Sequence, residues 1–76
     1  MAAATSFSRY DLLNAEDRIA ELRGYIERER SKLYGLQAES AEATSIQRML
    51  SALGRTLDHF QGHRSRIERD LGSRDT

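Results

Sequence analysis

Two runs of apolar residues, each advancing by alternating steps of three and four, constrain this chain most strongly. The first run extends from Leu12 to Leu36, and the second extends from Ile46 to Leu71. A seven-residue repeat with two apolar positions is typical of helices that pack along a coiled-coil seam. No alternating pattern of comparable length, such as a half-buried strand needs, occurs in the sequence. We therefore predict an all-α protein with two amphipathic helices.

The segment between the two runs indicates a turn. Small and polar residues would fall on the seam if the first run continued, and the second run is one residue out of register with it. Thr44 and Gln47 have the spacing of a capping box, and Ser40 is an alternative N-cap one turn earlier. One continuous helix with a phase slip is the alternative to a turn. We predict a flexible N-terminus over residues 1–7, a first helix over 8–38 and a turn over 39–44. A second helix over 45–72 and a flexible tail over 73–76 follow.

The outer ends of the two helices also carry signals. Ser8 is predicted to cap the first helix, with Asp11 in the first turn, where the helix dipole favours an acid. Phe7 and Leu12 have the spacing of a hydrophobic staple. Gly72 is predicted to end the second helix.

A chain that folds back at the turn brings the two runs together as an antiparallel hairpin. For two residues that face each other across the hairpin, the sum of their sequence positions would then be 82 or 83. The predicted seam consists of thirteen apolar residues: Leu12, Ile19, Leu22, Ile26, Leu33, Leu36, Ile46, Leu50, Leu53, Leu57, Phe60, Ile67 and Leu71.

Each run has one polar interruption, Glu29 in the first and Arg64 in the second. The predicted register places Glu29 opposite Leu53 and near Arg55, and it places Arg64 near Glu16. Because a buried charge without a partner is costly, we predict ion pairs between Glu29 and Arg55 and between Glu16 and Arg64.

Further apolar side chains lie off the seam and predict a second contact face. A two-helix hairpin has a single contact layer, which is marginal for 76 residues. We therefore predict a homodimer in which two hairpins form a four-helix bundle, with an unidentified protein partner as the alternative. The candidate dimer face consists of Tyr10, Leu13, Ala20, Tyr34, Met49 and His63.

Charge and composition narrow the function. Twelve basic residues balance twelve acidic ones, whereas a nucleic-acid-binding chain normally has a basic excess. The chain has no cysteine, no proline and no apolar run of membrane-spanning length, and the first residues lack the pattern of a signal peptide. These features favour a soluble, cytoplasmic, non-enzymatic protein–protein interaction or structural module, with no cofactor, no membrane contact and no small-molecule substrate.

Two features of residues 58–71 support other hypotheses. His59 and His63, four residues apart on one helix, are weak candidates for metal ligands because no further ligand accompanies them. The arginines at the end of the second helix, Arg64, Arg66 and Arg69, suggest a nucleic-acid-associated regulator as the alternative function. Glu68 and Asp70 lie among them and favour a self-neutralised, solvated face.

Three segments within residues 14–71 carry a resemblance: "AEDRIAELRGYIERERSKL", "IQRMLSAL" and "HRSRIERDL". Together they resemble a group of uncharacterised short helical-hairpin proteins of soil-dwelling alphaproteobacteria that have no established activity. The turn region "AESAEAT" departs from the Gly-His-Asp-Thr-like turn of that group. The resemblance implies a helical hairpin and no particular activity.

Overall fold

The chain forms two helices that pack against each other. The computed structural model describes residues 6–75, with side chains through residue 73. The helices are α1, Arg9–Leu33, with 25 residues, and α2, Ala41–Asp75, with 35 residues. They lie side by side in an elongated body of 55 × 19 × 15 Å. The prediction of an all-α chain with two packed helices is confirmed.

α1 begins at a capping box formed by Ser8 and Asp11. The hydroxyl of Ser8 accepts a hydrogen bond from the backbone N–H of Asp11 at 3.2 Å, and the Asp11 carboxylate accepts one from the backbone N–H of Ser8 at 2.8 Å. These two bonds satisfy backbone donors that the first turn of a helix leaves free. The predicted N-cap at Ser8 is confirmed.

α1 ends at Leu33, five residues before the predicted end at residue 38. The last turn tightens, because the N–H of Tyr34 donates to the carbonyl of Ser31 at 3.2 Å and the N–H of Leu36 donates to that of Leu33 at 3.1 Å. Gly35 follows at once, and glycine is a poor helix former by about 1 kcal/mol relative to alanine. The chain therefore turns over residues 34–40, earlier than the predicted 39–44.

α2 begins after Ser40. The Ser40 hydroxyl accepts a hydrogen bond from the backbone N–H of Ala43 at 3.0 Å, and its carbonyl accepts the first helical bond, from Thr44, at 3.1 Å. Thr44 already lies inside the helix, where its hydroxyl donates back to the Ser40 carbonyl. The capping box predicted at Thr44 and Gln47 is therefore wrong, and the alternative N-cap at Ser40 is the one the chain uses.

The far end of α2 also differs from the sequence prediction. The helix continues through Gly72 to Asp75, so Gly72 does not end it and residues 73–75 are helical. Gly72 does not adopt a positive φ, which the usual glycine C-cap requires. Residues 1–5 and 76, also predicted to be flexible, lie outside the described part of the chain.

The register of the hairpin differs from the predicted one by about one heptad. The Tyr25 hydroxyl contacts the Met49 sulfur at 3.6 Å, and the position numbers of this pair add up to 74. The backbone N–H of Phe7 donates to the Asp70 carboxylate at 3.1 Å, and these numbers add up to 77. The predicted sum was 82 or 83. Because the shift is close to one repeat, the same faces of the two helices still meet, but neither contact fits the predicted register.

The core is a thin line along the contact between the helices. The buried apolar residues of the described chain are Ala15, Ile19, Ile26, Ala43, Ile46 and Ile67. Ile19 and Ile67 are the largest of these to be fully buried. Neither helix, over the described residues, contains a stretch apolar enough to cross a membrane.

The two candidate N-caps of α2 can be separated by mutation. Ser40→Ala should lower the free energy of unfolding by about 1 kcal/mol, because it removes the hydroxyl that accepts the N–H of Ala43. Thr44→Ala is the matched control and should change it by clearly less, since the Thr44 hydroxyl only supplements a helical bond. Urea denaturation at one fixed protein concentration measures both. A larger loss for Thr44→Ala than for Ser40→Ala would contradict the cap.

Candidate interaction surface

The predicted seam residues lie between the helices. Four of the thirteen, all isoleucines, are buried: Ile19, Ile26, Ile46 and Ile67. The other nine are half-buried, and none is exposed. A hairpin with one contact layer therefore leaves most of its leucines partly open on the flanks.

Glu29 is buried in the seam with its own charge partner. It is 6% exposed, and its carboxylate accepts a hydrogen bond from the Lys32 ammonium at 2.8 Å. Lys32 lies one turn later on the same helix, so the pair does not depend on how α2 is aligned. The predicted pair between Glu29 and Arg55 is not formed, and Arg55 is exposed.

Glu29 changes the titration of Lys32. The hydrogen bond from Lys32 to this carboxylate, with the attraction of its charge, raises the pKa of Lys32 above its ordinary value of 10.5. Weaker attractions from Tyr25 and Glu42 act in the same direction. Because the Lys32 side chain is itself exposed, solvent screens the pair.

Arg64 is the second polar residue of the seam and lacks a partner for one of its donors. Its Nε is buried and has no hydrogen-bond partner. The predicted ion pair between Glu16 and Arg64 does not form, and Glu16 is exposed. The observed register moves Arg64 from the level of Ile19 towards that of Leu12. An uncompensated buried N–H of this kind reduces the stability of the hairpin.

The candidate dimer-face residues are all exposed: Tyr10, Leu13, Ala20, Tyr34, Met49 and His63. They do not share one face. Met49 lies beside Tyr25, which its sulfur contacts, whereas Tyr34 follows Tyr25 by nine residues, or two and a half helical turns, and points to the opposite flank. Tyr10 and Leu13 lie on the first turns of α1, where they are 71% and 59% exposed.

A groove runs between the two helices near the N-terminus of α1. The ring of Phe7 packs edge-on against that of His63, with 5.7 Å between centroids, and forms one wall of the groove. Its volume is about 360 Å³. The carboxylate of Asp11, which lines it, is already engaged by the Ser8 hydroxyl and N–H. The lining consists of Phe7, Asp11, Asn14, Ala15, Arg18, His59, Phe60 and His63.

The two histidines predicted as weak metal candidates both lie at this groove and are exposed. Within the described residues, no group of three or more histidine, aspartate or glutamate side chains could hold a metal ion. The described part of this end therefore brings the His59 and His63 imidazoles together without a third ligand, and a tetrahedral structural site needs four.

At the arginine-rich end of α2, the three arginines with described side chains do not form one basic surface. Arg64 is half-buried in the seam, while Arg66 and Arg69 are exposed with the exposed Glu68 between them. Asp70 accepts the N–H of Phe7. One of these three arginines is therefore withdrawn from the surface, and acids lie next to the other two.

Three residues that sequence reasoning missed contribute to the packing. Ala43 is 1% exposed although it falls in the predicted turn, Lys32 holds the buried carboxylate, and the Tyr25 hydroxyl contacts the Met49 sulfur of α2. The serine that caps α2 is the signal that would have found Ala43. It places that alanine in the first turn of the helix, in phase with Ile46.

The chain has no significant match among protein-family models, curated proteins or solved structures.

Replacing Arg64 by a neutral residue of similar length should stabilise the hairpin. Arg64→Met removes the unpartnered Nε and fills the seam with apolar atoms, so the free energy of unfolding should rise by about 1 kcal/mol. Arg69→Met, at an exposed position on the same helix, is the control and should leave it within about 0.5 kcal/mol. Chemical denaturation measures both, and a loss of stability in Arg64→Met would show that the guanidinium stabilises the seam.

The Lys32 pair predicts a stability change at high pH. A pKa raised on folding means that the pair stabilises the native state below pH 10.5 and that this stabilisation disappears as the pH rises through the native pKa. The difference in free energy of unfolding between the natural chain and Lys32→Gln should thus be constant near neutral pH and shrink above 10.5. Because Lys32 is the single lysine of the chain, the substitution removes the whole lysine titration. A difference that does not vary with pH would contradict the pair.

Proposed function

We propose that this protein is a non-enzymatic interaction or structural module that acts by self-association. In the proposed assembly, two hairpins form a homodimeric four-helix bundle. The observation that carries the proposal is the large surface that a single hairpin leaves in contact with water.

The surface exceeds that of a compact monomer of the same mass. The hairpin exposes 5734 Å², whereas a folded monomer of 8.7 kDa exposes about 4,700 Å² by the usual scaling with mass. The excess, about 1,000 Å², is close to the roughly 800 Å² that each partner buries in a standard interface. The radius of gyration, 17.2 Å, is likewise well above the roughly 11 Å of a compact chain of this length.

The exposed surface includes large apolar side chains. Tyr10, Leu13, Tyr25, Tyr34 and Met49 are each at least 38% exposed, while the buried core of the described chain is a single line of small and branched residues. Burying one more large apolar side chain contributes about 1.5–3 kcal/mol. Each of these side chains that a second hairpin covers would add stabilisation of this size to the assembly.

The charge balance supports a second copy as the partner. The net charge of the chain is zero, so two copies meet without a net electrostatic repulsion. A partner that binds through phosphate or through a strongly acidic surface would instead favour a basic excess.

Sedimentation equilibrium tests self-association. Over about 1 to 100 µM we expect the weight-average mass to rise from the chain mass of 8.7 kDa towards twice that value. The midpoint of thermal unfolding should rise with concentration over the same range, because association stabilises the folded state.

A folded monomer at every concentration would refute the proposal. Circular dichroism on the same samples shows whether the monomer is folded. The control is the same pair of measurements on Ser51→Glu, which alters an exposed position away from the groove.

A further inference from the structure

A second heptad strip runs along the exposed surface of α2. Its members are Ser45, Met49, Ala52, Thr56, His59 and His63, which advance by alternating steps of four and three. All six are exposed. This α2 strip lies beside the seam of the hairpin, one residue earlier at each turn. Two adjacent apolar or uncharged lines are typical of helices that contact more than one neighbour in a bundle.

The α2 strip carries no formal charge at neutral pH with its histidines neutral, although 32% of the chain is charged. Its centre consists of Ala52 and Thr56, whose small side chains let another helix approach closely. Two of its members contact the rest of the hairpin, since Met49 accepts the hydroxyl of Tyr25 on α1 and His63 packs against Phe7, just before α1. These contacts fix the larger side chains of the α2 strip before any partner binds, which lowers the entropic cost of association.

The next residues in the same spacing are charged, and they have opposite signs. Glu42 precedes the strip by three residues, and Arg66 follows it by three; both are exposed. In an antiparallel pair of α2 helices whose facing position numbers add up to 108, each Glu42 faces the Arg66 of the second copy. The same alignment places Ala52 opposite Thr56 and Met49 opposite His59. A parallel pair would instead place Glu42 against Glu42 and Arg66 against Arg66, and like charges in contact destabilise a complex.

We infer that two copies of this chain associate through an antiparallel contact between their α2 strips, with the twofold axis beside Ala52 and Thr56 and reciprocal ion pairs between Glu42 and Arg66 at both ends. The contact is about 36 Å long at 1.5 Å per residue. This inference rests on the proposed self-association and names the surface and the orientation that it uses.

The location is tested by one substitution at the centre of the α2 strip. Ala52→Glu should weaken the dimer about a hundredfold or more, because the twofold axis brings two glutamates into the contact. Glutamate is a good helix former, and Ala52 is exposed in the hairpin, so the monomer should stay helical. Ser51→Glu, one residue away on a different face, is the matched control and should leave the dissociation constant within about threefold.

The orientation is tested by reversing the end charges. Glu42→Arg alone and Arg66→Glu alone should each weaken association about tenfold, since each turns both ion pairs of the dimer into repulsive contacts. The double variant should restore association to within about threefold of the natural chain, because the pairs form again with their signs exchanged. Asp58→Arg, at an exposed position off the α2 strip, controls for the change in net charge.

Each result decides one point. A natural chain that stays monomeric overturns the proposed function and this inference together. A dimer that tolerates Ala52→Glu overturns the α2 strip while leaving self-association in place. A dimer that loses affinity with Ala52→Glu but is unchanged by the single charge reversals overturns the antiparallel orientation.

Discussion

The whole structure depends on the contact between α1 and α2 along one heptad-spaced seam. The isoleucines of this seam, led by Ile19 and Ile67, are its best-buried large side chains. Because the spacing repeats every seven residues, the helices can shift by one heptad and still present the same faces to each other. The seam therefore determines that a hairpin forms, and it leaves the alignment to the turn.

The part of the fold that could be predicted from sequence is the part that depends on periodicity alone. Two amphipathic helices and the members of their seam follow from spacing, and so does the cap at Ser8, which involves a local pair. The turn was misplaced because two hydroxyl residues, Ser40 and Thr44, offered caps one turn apart. Only the end of α1 near Gly35 decides between them. That choice shifts the alignment of the two helices by about a heptad. The predicted ion pairs between the helices depend on this alignment and are therefore not formed.

The two polar residues of the seam also differ in whether their contacts depend on the alignment of the helices. Glu29 obtains its partner from Lys32 on its own helix, and such a pair forms whatever the position of α2. Arg64 would need an acceptor from α1, and the actual alignment supplies none to its Nε. The predicted pairs failed because they assumed that charges are satisfied across the seam. A search within one helix turn would have found Lys32, whereas no local signal distinguishes an arginine with a partner from one without.

α2 is ten residues longer than α1, and the two helices have unequal roles on the proposed arrangement. α1 contributes one line of contacts, whereas α2 contributes the hairpin seam and the adjacent α2 strip. In a bundle built through α2, each α2 lies next to both its own α1 and the second α2, and each α1 lies outside. Tyr10 and Leu13 on α1 then stay exposed at no cost to the contact, since single exposed apolar side chains are ordinary on protein surfaces. The same arrangement explains why the α2 strip, from Ser45 to His63, has no charged residue and why charged residues flank it at Glu42 and Arg66. A helix that faced only solvent on that side would have no reason to keep the line uncharged.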